Sequence, residues 1–246
     1  MKNKFKIIVP FYNPGEFLEK CISSVITQKY DNYEIIFIDD CSTDDSYDKL
    51  PKDDDRVTII KNEVRKTALE NIHNAIMNHC NADDICVLVD GDDWFPNKKV
   101  LQYINEQYKK HDCWILYGSS SWTDGRRCCS SEYSYKEFEN LRRAPFRVSH
   151  LRTFKAGLYH KIKEQDLNFS CLKDYNGDFY KMTYDVAIML PLLEMSGKEK
   201  VIHNKSILYI YNRDNPISDD KVNQNLQWDI HNEILKKPKF NKIEEL

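Results

Sequence analysis

The sequence predicts an α/β fold, built on a mostly parallel sheet that helices cover on both faces. Runs of apolar, often β-branched residues alternate with amphipathic helical segments through the first half of the chain. These runs are apolar almost throughout, which is typical of strands that are buried on both faces. With 246 residues the chain is long enough to form one large domain with a sizeable core.

The first half is expected to alternate strand and helix. The predicted strands cover 5–12, 33–40, 57–62, 84–90 and 113–120. The predicted helices cover 16–28, 67–80 and 97–111. In each of these helices the apolar residues recur at helical spacing. Asn13-Pro14-Gly15 marks a turn after the first strand, and Ser42-Thr43 before two acidic residues suits a helix start.

The pattern becomes less regular after residue 120, where 121–134 is predicted to be an exposed loop. The later predicted elements are helices at 148–162, 184–197 and 219–237 and a strand at 205–212. The first of these helices would place Leu151, Phe154 and Leu158 inward. The terminal helix is expected to pack on the domain, with a homodimer contact or docking on a membrane surface as alternatives.

Composition argues against several classes of protein. The net charge is -3 and no basic block occurs, so a nucleic-acid partner is not expected. No segment approaches the ~20 apolar residues that a membrane-spanning helix needs, and the apolar run 7–11 is too short for a signal peptide. Eight cysteines without a Cys-x-x-Cys pair suit reduced thiols and a cytoplasmic location.

Acidic and aromatic residues follow three of the predicted strands. The strand ends read Pro10-Phe11-Tyr12-Asn13, Asp39-Asp40 and Asp90-Gly91-Asp92-Asp93. Ligands of such sheets bind beyond the carboxyl ends of the strands, so these residues mark the expected site. The triplet Asp90, Asp92 and Asp93 suits Mg²⁺ or Mn²⁺, which prefer oxygen ligands, although a solvated acidic turn is the alternative.

Two further strand-end residues suit a nucleotide. Tyr12 offers an aromatic face to a nucleobase, and Asp40 offers an acceptor for the imino N–H of uracil. The structural alternatives are that Tyr12 only covers the edge of the sheet and that Asp40 caps the helix expected after Ser42.

The order of these motifs resembles a known family. "IIVPFYNPGEFLEKCISSVITQKYDNYEIIFIDDCSTDDS" has a strand ending Pro-x-Tyr-Asn, a helix with Ser-x-x-x-Gln and a strand ending Asp-Asp-x-Ser-x-Asp. "VLVDGDDWFP" adds an Asp-x-Asp motif followed by Asp and Pro. Together they resemble inverting family-2 glycosyltransferases, which have the GT-A fold. The resemblance is close through about residue 100 and looser afterwards. It implies one Rossmann-like domain over 1–246, with a nucleotide-sugar half (1–120), an acceptor and catalytic half (121–218) and a C-terminal helix (219–246).

The resemblance also implies roles for individual residues. Tyr12 would stack on uracil and Asp40 would bind its edge, while Asp92 and Asp93 would hold Mn²⁺ or Mg²⁺. The remaining residues assigned to the nucleotide are Pro10, Asn13, Arg65, Asp90, Asn212 and Arg213. His150 and Arg152 are assigned to the acceptor side, and a structural role is the alternative for these two residues and for Asn212 and Arg213. One departure is "NEVRKTALEN", where the family often has Asn-x-Gly and this chain has Arg65 and Lys66.

The family also uses an acidic general base, and Asp185 at the start of the helix 184–197 fits that role. Helix capping is the structural alternative, and Asp174, Asp178 and Glu194 are the other acids considered. The predicted reaction moves a sugar from a UDP-sugar to a hydroxyl of a glycan, lipid-linked or protein acceptor, with inversion. The rival interpretations are a sugar-phosphate nucleotidyltransferase and a non-catalytic nucleotide-sugar-binding subunit. The first rival usually begins with a basic, Gly-rich phosphate loop, which "VPFYNPGEF" lacks.

Overall fold

A seven-stranded sheet runs through the computed structural model, which describes residues 2–128, 130–215 and 223–246. The strands are β1 (Phe5–Phe11), β2 (Tyr33–Asp39), β3 (Val57–Lys61), β4 (Ile85–Leu88), β5 (Ile115–Trp122), β6 (Arg152–Lys155) and β7 (Val201–Tyr211). Their order in the sheet is β3-β2-β1-β4-β6-β5-β7. Only β6 is antiparallel to its neighbours, so the sheet is mostly parallel, as the sequence predicts.

Helices cover both faces of this sheet. They are α1 (Phe17–Ile26), α2 (Ala68–His79), α3 (Val100–His111), α4 (Tyr135–Phe138), α5 (Ala156–His160), α6 (Ile162–Gln165), α7 (Tyr184–Ser196) and α8 (Gln224–Lys236). One apolar cluster joins α1 and α3 to one face, and a second joins α2, α5, α7 and α8 to the other. The predicted strands and helices of the first half are all present, with the short turn of helix at Asp45–Lys49 beginning after Asp44.

The predicted helix at 148–162 is wrong. Its centre is strand β6, which lies between β4 and β5, and helix is found only in Ala156–His160 and at Ile162, where α6 begins. The spacing of Leu151 and Phe154 fits one face of a helix, yet the two side chains pack in different apolar clusters on opposite faces of the sheet. Residues 152–155 form a strand because they pair with β4 and β5, which are distant in sequence. Such pairing overrides the helical spacing of a short local segment.

The C-terminal helix α8 packs on the domain, as expected. Ile230 and Ile234 are buried in the cluster that includes α7, whereas Leu226 is 43% and Trp228 66% exposed. Residues 219–222 of the predicted helix lie outside the described residues. Within the described part of the chain, no helix has the length and apolar character needed to cross a membrane.

A buried ion pair ties α7 to the loop before β6. Arg142 donates to both carboxylate oxygens of Glu194, at 2.7 and 2.8 Å, and the Glu194 side chain is fully buried. Glu194→Gln should lower the free energy of unfolding by about 3–5 kcal/mol, because it leaves a buried guanidinium without its charge partner. Glu199→Gln, at an exposed pair with Lys242, is the matched control and should cost about 0–1 kcal/mol. Urea unfolding measures both, and equal losses would contradict the expectation.

Candidate functional site

A cleft of about 910 Å³ opens at the carboxyl ends of β1, β2 and β4. Most of the residues singled out in the sequence line it, although they come from both halves of the chain. These are Pro10, Tyr12, Asp40, Arg65, Asp90, Asp92, His150, Arg152 and Asp185. The parallel strands bring the first six to one edge, while the segment entering β6 supplies His150, β6 itself supplies Arg152 and the start of α7 supplies Asp185.

Tyr12 and Arg65 form the wall beyond β1. The Arg65 guanidinium carbon lies 3.4 Å from the centroid of the Tyr12 ring, so the two planes are in contact. Arg65 Nε also donates to Asp40 Oδ2 at 3.0 Å. One face of the Tyr12 ring is therefore covered by a side chain of the same wall, and stacking of a nucleobase on that face requires Arg65 to move.

Asp40 is almost fully buried and fixes the loop that follows β3. Its oxygens accept four hydrogen bonds, from Asn62 Nδ2, Arg65 Nε, Lys66 N and Thr67 N, at 2.8–3.1 Å. Burial raises the pKa of Asp40, but the nearby Asn71 side chain and the hydrogen bonds from the Lys66 amide and Asn62 lower it, and the net shift is downward. All four acceptor positions of the carboxylate are filled, so a uracil imino group would have to replace one of these donors.

The capping alternative for Asp40 does not apply. The amide of Ser42 donates instead to Asp39 Oδ1 at 2.8 Å. Asp39 does not line the cleft, and its Oδ2 is buried without a hydrogen-bond partner among the described residues. The two neighbouring acids thus have different structural roles. Asp39 caps the turn after β2, and Asp40 accepts hydrogen bonds from the loop that carries Arg65.

Asp90 lines the cleft just beyond β4. Both of its carboxylate oxygens accept from the Tyr184 hydroxyl, at 2.7 and 2.9 Å, and its Oδ2 lies 3.6 Å from His150 Nε2. Burial raises the pKa of Asp90, but His150, Tyr184 and Arg152 lower it and prevail. Burial, followed by the charge of Arg152, lowers the pKa of His150. The ring of His150 stacks on Tyr209, with centroids 4.5 Å apart.

Asp92 and Asp93 take different positions. Asp92 lines the cleft and its Oδ2 accepts from Asn215 Nδ2 at 2.7 Å. Asp93 is 1% exposed and lies outside the lining, with Oδ1 accepting from the Asn212 amide at 2.7 Å. Burial, with the charges of Asp92 and Asp90, raises the pKa of Asp93 well above its usual value. Glycine is required at position 91, between Asp90 and Asp92, since a Cβ there would lie 2.4 Å from Cβ of Phe11.

These carboxylates fit a hard divalent cation. An oxygen of Asp90, an oxygen of Asp93 and a ring nitrogen of His150 lie within 4.8 Å of one another. Asp93 Oδ2 is buried and has no hydrogen-bond partner among the described residues, so a neighbouring cation would compensate an otherwise costly group. Carboxylate oxygens are the preferred ligands of Mg²⁺ and Mn²⁺. The donor types therefore suit Mg²⁺ or Mn²⁺. Of the two predicted ligands, Asp93 belongs to this cluster with Asp90 and His150, whereas Asp92 lies outside the cluster and lines the cleft.

Asp185 lies in the first turn of α7 and is ion-paired. Arg152 Nη2 donates to its Oδ2 at 3.0 Å, and the Arg152 side chain is 5% exposed. The residue before the helix is Thr183, so Asp185 is not the N-cap. Of the other acids considered, Glu194 lies outside the cleft, Asp174 organises the turn that contains Asp178, and Asp178 is an exposed residue of the cleft wall.

Three residues assigned to the nucleotide do not line the cleft. Asn13 Oδ1 accepts from the Thr43 amide at 2.8 Å, and the amide of Asn212 holds Asp93. The guanidinium of Arg213 lies 5.0 Å from the centroid of the Trp122 ring. A movement of Asn212 and Arg213 over a bound diphosphate stays a prediction.

Strained backbone occurs beside the residues of interest. Cys41, Thr67 and Thr183 have φ of 65°, 109° and 61°, in the region that side chains other than glycine rarely adopt. Cys41 directly follows Asp40, Thr67 lies in the loop that donates to Asp40, and Thr183 directly precedes α7. Such strain is held in place by surrounding contacts and concentrates at functional sites. Here it fixes the turns that present Asp40 and Asp185.

Sequence reasoning missed Tyr184, Asn215 and Tyr209. Tyr184 and Asn215 hydrogen-bond Asp90 and Asp92, and the Tyr209 hydroxyl accepts from the amide of Asp90 at 3.0 Å. Tyr184 had one available signal, because it directly precedes Asp185 at a predicted helix start. Nothing in the spacing of Asn215 or Tyr209 relates them to the acidic triplet.

Comparison with known proteins agrees with this architecture. The family described as "Glycosyl transferase family 2" matches residues 6–163. Glycosyltransferase GlyG of Streptococcus pneumoniae is 25% identical over 231 residues, covering 87% of this chain and 72% of GlyG. S. aureus TarS 1–349 in complex with UDP-GlcNAc superposes with a TM-score of 0.62 at 16% identity, over 86% of this chain and 59% of TarS.

Mannosyltransferase PcManGT from Pyrobaculum calidifontis, in complex with GDP-Man and Mn²⁺, superposes with a TM-score of 0.59 at 15% identity, over 86% of this chain and 57% of PcManGT. Some relatives are much longer: the chain covers 15% of the pneumococcal GlyA, with 34% identity over 111 residues. The solved structures support the GT-A fold, and the family match covers more than half of the sequence. The chain therefore belongs to glycosyl transferase family 2.

Proposed function

We propose that the protein transfers a sugar from a UDP-sugar to a hydroxyl of a glycan, lipid-linked or protein acceptor, with inversion at the sugar carbon. The observation that carries this proposal is the shared cleft. It brings Tyr12, Asp90 and Asp92 from the first half of the chain together with Asp185 from the second. A nucleotide-binding wall and a separate acid in one cleft suit a transfer between two bound substrates.

On the donor side, Tyr12 would stack on the base and Asp40 would read its edge once Arg65 moves aside. Asp90 would contact the ribose or the donor sugar. The TarS complexes contain UDP-GlcNAc or UDP, which supports a uridine donor, whereas the PcManGT complex contains GDP-Man. Uracil matches the acceptor that Asp40 provides, because its imino nitrogen is a donor.

Asp92, with Asp93 behind it, would hold Mn²⁺ or Mg²⁺. When bound, the ion would supply positive charge that stabilises the negative charge developing on the diphosphate leaving group. Asp185 accepts the proton of the acceptor hydroxyl during attack through the oxygen that Arg152 leaves free. His150, neutral because burial lowers its pKa, and Arg152 shape the wall between donor and acceptor. The new bond forms on the side opposite the departing diphosphate, so the configuration inverts.

Release of UDP tests the proposal against its rivals. Purified protein with Mn²⁺ and individual UDP-sugars should release UDP, slowly to water and faster with a suitable acceptor. Release of pyrophosphate from UTP and a sugar phosphate would favour a nucleotidyltransferase instead. Tight donor binding without any UDP release, over a panel of acceptors, would indicate a non-catalytic subunit.

Base selection can be tested through Asp40. Asp40→Ala should weaken UDP binding by about tenfold to a hundredfold, because it removes the acceptor of a buried imino N–H, which costs about 1–3 kcal/mol. Asp39→Ala, at the neighbouring acid outside the cleft, is the matched control and should leave affinity within a few-fold. Calorimetric titration with UDP, GDP and ADP measures the effect. Equal affinity of wild type for the three nucleotides would remove Asp40 from this role.

A further inference from the structure

We infer that Arg152 is a positioning residue for the proposed base: it holds one oxygen of Asp185 and leaves the other for the proton of the acceptor. The inference rests on the proposed function, since it assumes that Asp185 takes that proton. It also replaces direct acceptor contact as the role of Arg152.

The contact itself is one-sided. Arg152 Nη2 donates to Oδ2 of Asp185 at 3.0 Å, and within the described residues Oδ1 has no hydrogen-bond partner. Both residues line the cleft. A base that is oriented by a third group recurs in enzymes that activate hydroxyl nucleophiles, because orientation of the free lone pair decides how easily the proton is taken.

Arg152 is itself held firmly. It is the first residue of β6 and stands opposite Leu88 on one side and Tyr117 on the other. Its side chain is 5% exposed, and Nη1 donates to the Tyr184 hydroxyl at 3.4 Å. A residue fixed by two neighbouring strands is a more rigid support for Asp185 than a surface cation.

Tyr184 connects this pair to the donor side of the cleft. Its hydroxyl accepts from Arg152 and donates to both oxygens of Asp90. A continuous set of polar contacts thus runs from Asp185 through Arg152 and Tyr184 to Asp90. These contacts link the orientation of Asp185 to Asp90, the carboxylate proposed to contact the ribose or the donor sugar.

The charge of Arg152 is secure despite burial. Burial lowers the pKa of Arg152, but the charge of Asp185, followed by Tyr184 and Asp90, raises it, and the net shift is upward. A buried guanidinium without a carboxylate is strongly disfavoured, so the ion pair with Asp185 persists. Arg152 therefore acts on the reaction through Asp185.

A double-mutant cycle tests this role, with UDP release from a UDP-sugar in Mn²⁺ and water as the acceptor. Arg152→Gln should reduce kcat by about tenfold to a hundredfold, the effect of a misplaced catalytic group, with KM for the donor within a few-fold. The double variant Arg152→Gln/Asp185→Asn should be no slower than Asp185→Asn alone, because the two residues act as one unit.

Three further variants separate positioning from folding. Arg152→Lys keeps the charge but loses the planar fork, so it should fold and still show a reduced kcat. Free guanidinium should restore part of the rate of Arg152→Ala, which a purely structural role would not allow. Tyr184→Phe keeps the ring beside Arg152, removes the link to Asp90, and should lower kcat less than Arg152→Gln.

The outcomes are distinct. Additive losses in the double variant, or a change confined to KM, would overturn the positioning role while leaving the proposed function intact. Absence of UDP release by wild type, or full activity of Asp185→Asn, would overturn both. A double variant equal to Asp185→Asn, together with rescue by guanidinium, supports the inference.

Discussion

Asp185→Asn should cut the rate of sugar transfer by about 10²–10⁴-fold, which is the usual contribution of a general base. An acceptor hydroxyl is a weak nucleophile at neutral pH, and an amide cannot take its proton. Asp185 does not cap α7, because Thr183 is the residue before the helix, so the helix should still form. Donor affinity should stay within a few-fold of wild type, since Asp185 lies on the acceptor side of the proposed reaction.

The same substitution should also lower the melting temperature. It leaves the buried guanidinium of Arg152 without its carboxylate partner. Rate and stability must therefore be separated. Glu194→Gln is the matched control: it breaks a different buried ion pair, outside the cleft, and should keep its rate at temperatures where the protein is folded.

The measurements are UDP release with acceptor present and calorimetric affinity for the donor, on one preparation below the melting temperature. Asp178→Asn, at an exposed acid of the same cleft, should turn over within a few-fold of wild type. If Asp185→Asn did the same, Asp185 would not be the base; a loss of rate in Asp178→Asn instead would assign that role to Asp178.

Asp92→Asn should weaken Mn²⁺-dependent binding of UDP by at least about tenfold to a hundredfold. A loss of that size already follows when a residue that only orients a metal ligand is substituted, and Asp92 is proposed to be a ligand itself. Asp92 lines the cleft and accepts a hydrogen bond from the side chain of Asn215. Asparagine can still accept that hydrogen bond, so the loop should keep its shape. What it loses is the negative charge.

The control for this prediction is the metal itself. With EDTA present, wild type and Asp92→Asn should bind UDP with the same affinity, because the substitution acts through the cation. Calorimetric titrations with and without Mn²⁺ give the comparison. Unchanged affinity for UDP in Mn²⁺ would show that the metal assignment is wrong, and a loss that persists in EDTA would point to a direct contact with the nucleotide.

Local sequence predicted the first half of the fold well. Its strands are apolar throughout and its helices have strong periodicity, so each element can be recognised from a short window. The positions of Tyr12, Asp40, Asp90 and Asp92 at one edge then follow from parallel topology, because successive strands end on the same side.

The order of these motifs revealed the family resemblance, and the resemblance predicted the GT-A fold. The apolar run 184–197 predicted the helix that is α7. The amino-acid sequence thus determined the α/β class, the edge of the sheet that bears the site, and the acids available for chemistry.

Only the tertiary structure decided how those acids are used. Strand β6 forms because β4 and β5 pair with it, and this placement puts Arg152 beside Asp185. The Tyr184–Asp90 hydrogen bond joins residues 94 positions apart, and the amide of Asn212 reaches Asp93 across 119 positions. The physical reason is that periodicity reports which face of an element is buried, whereas partners across the sheet are selected by packing and charge compensation among distant segments.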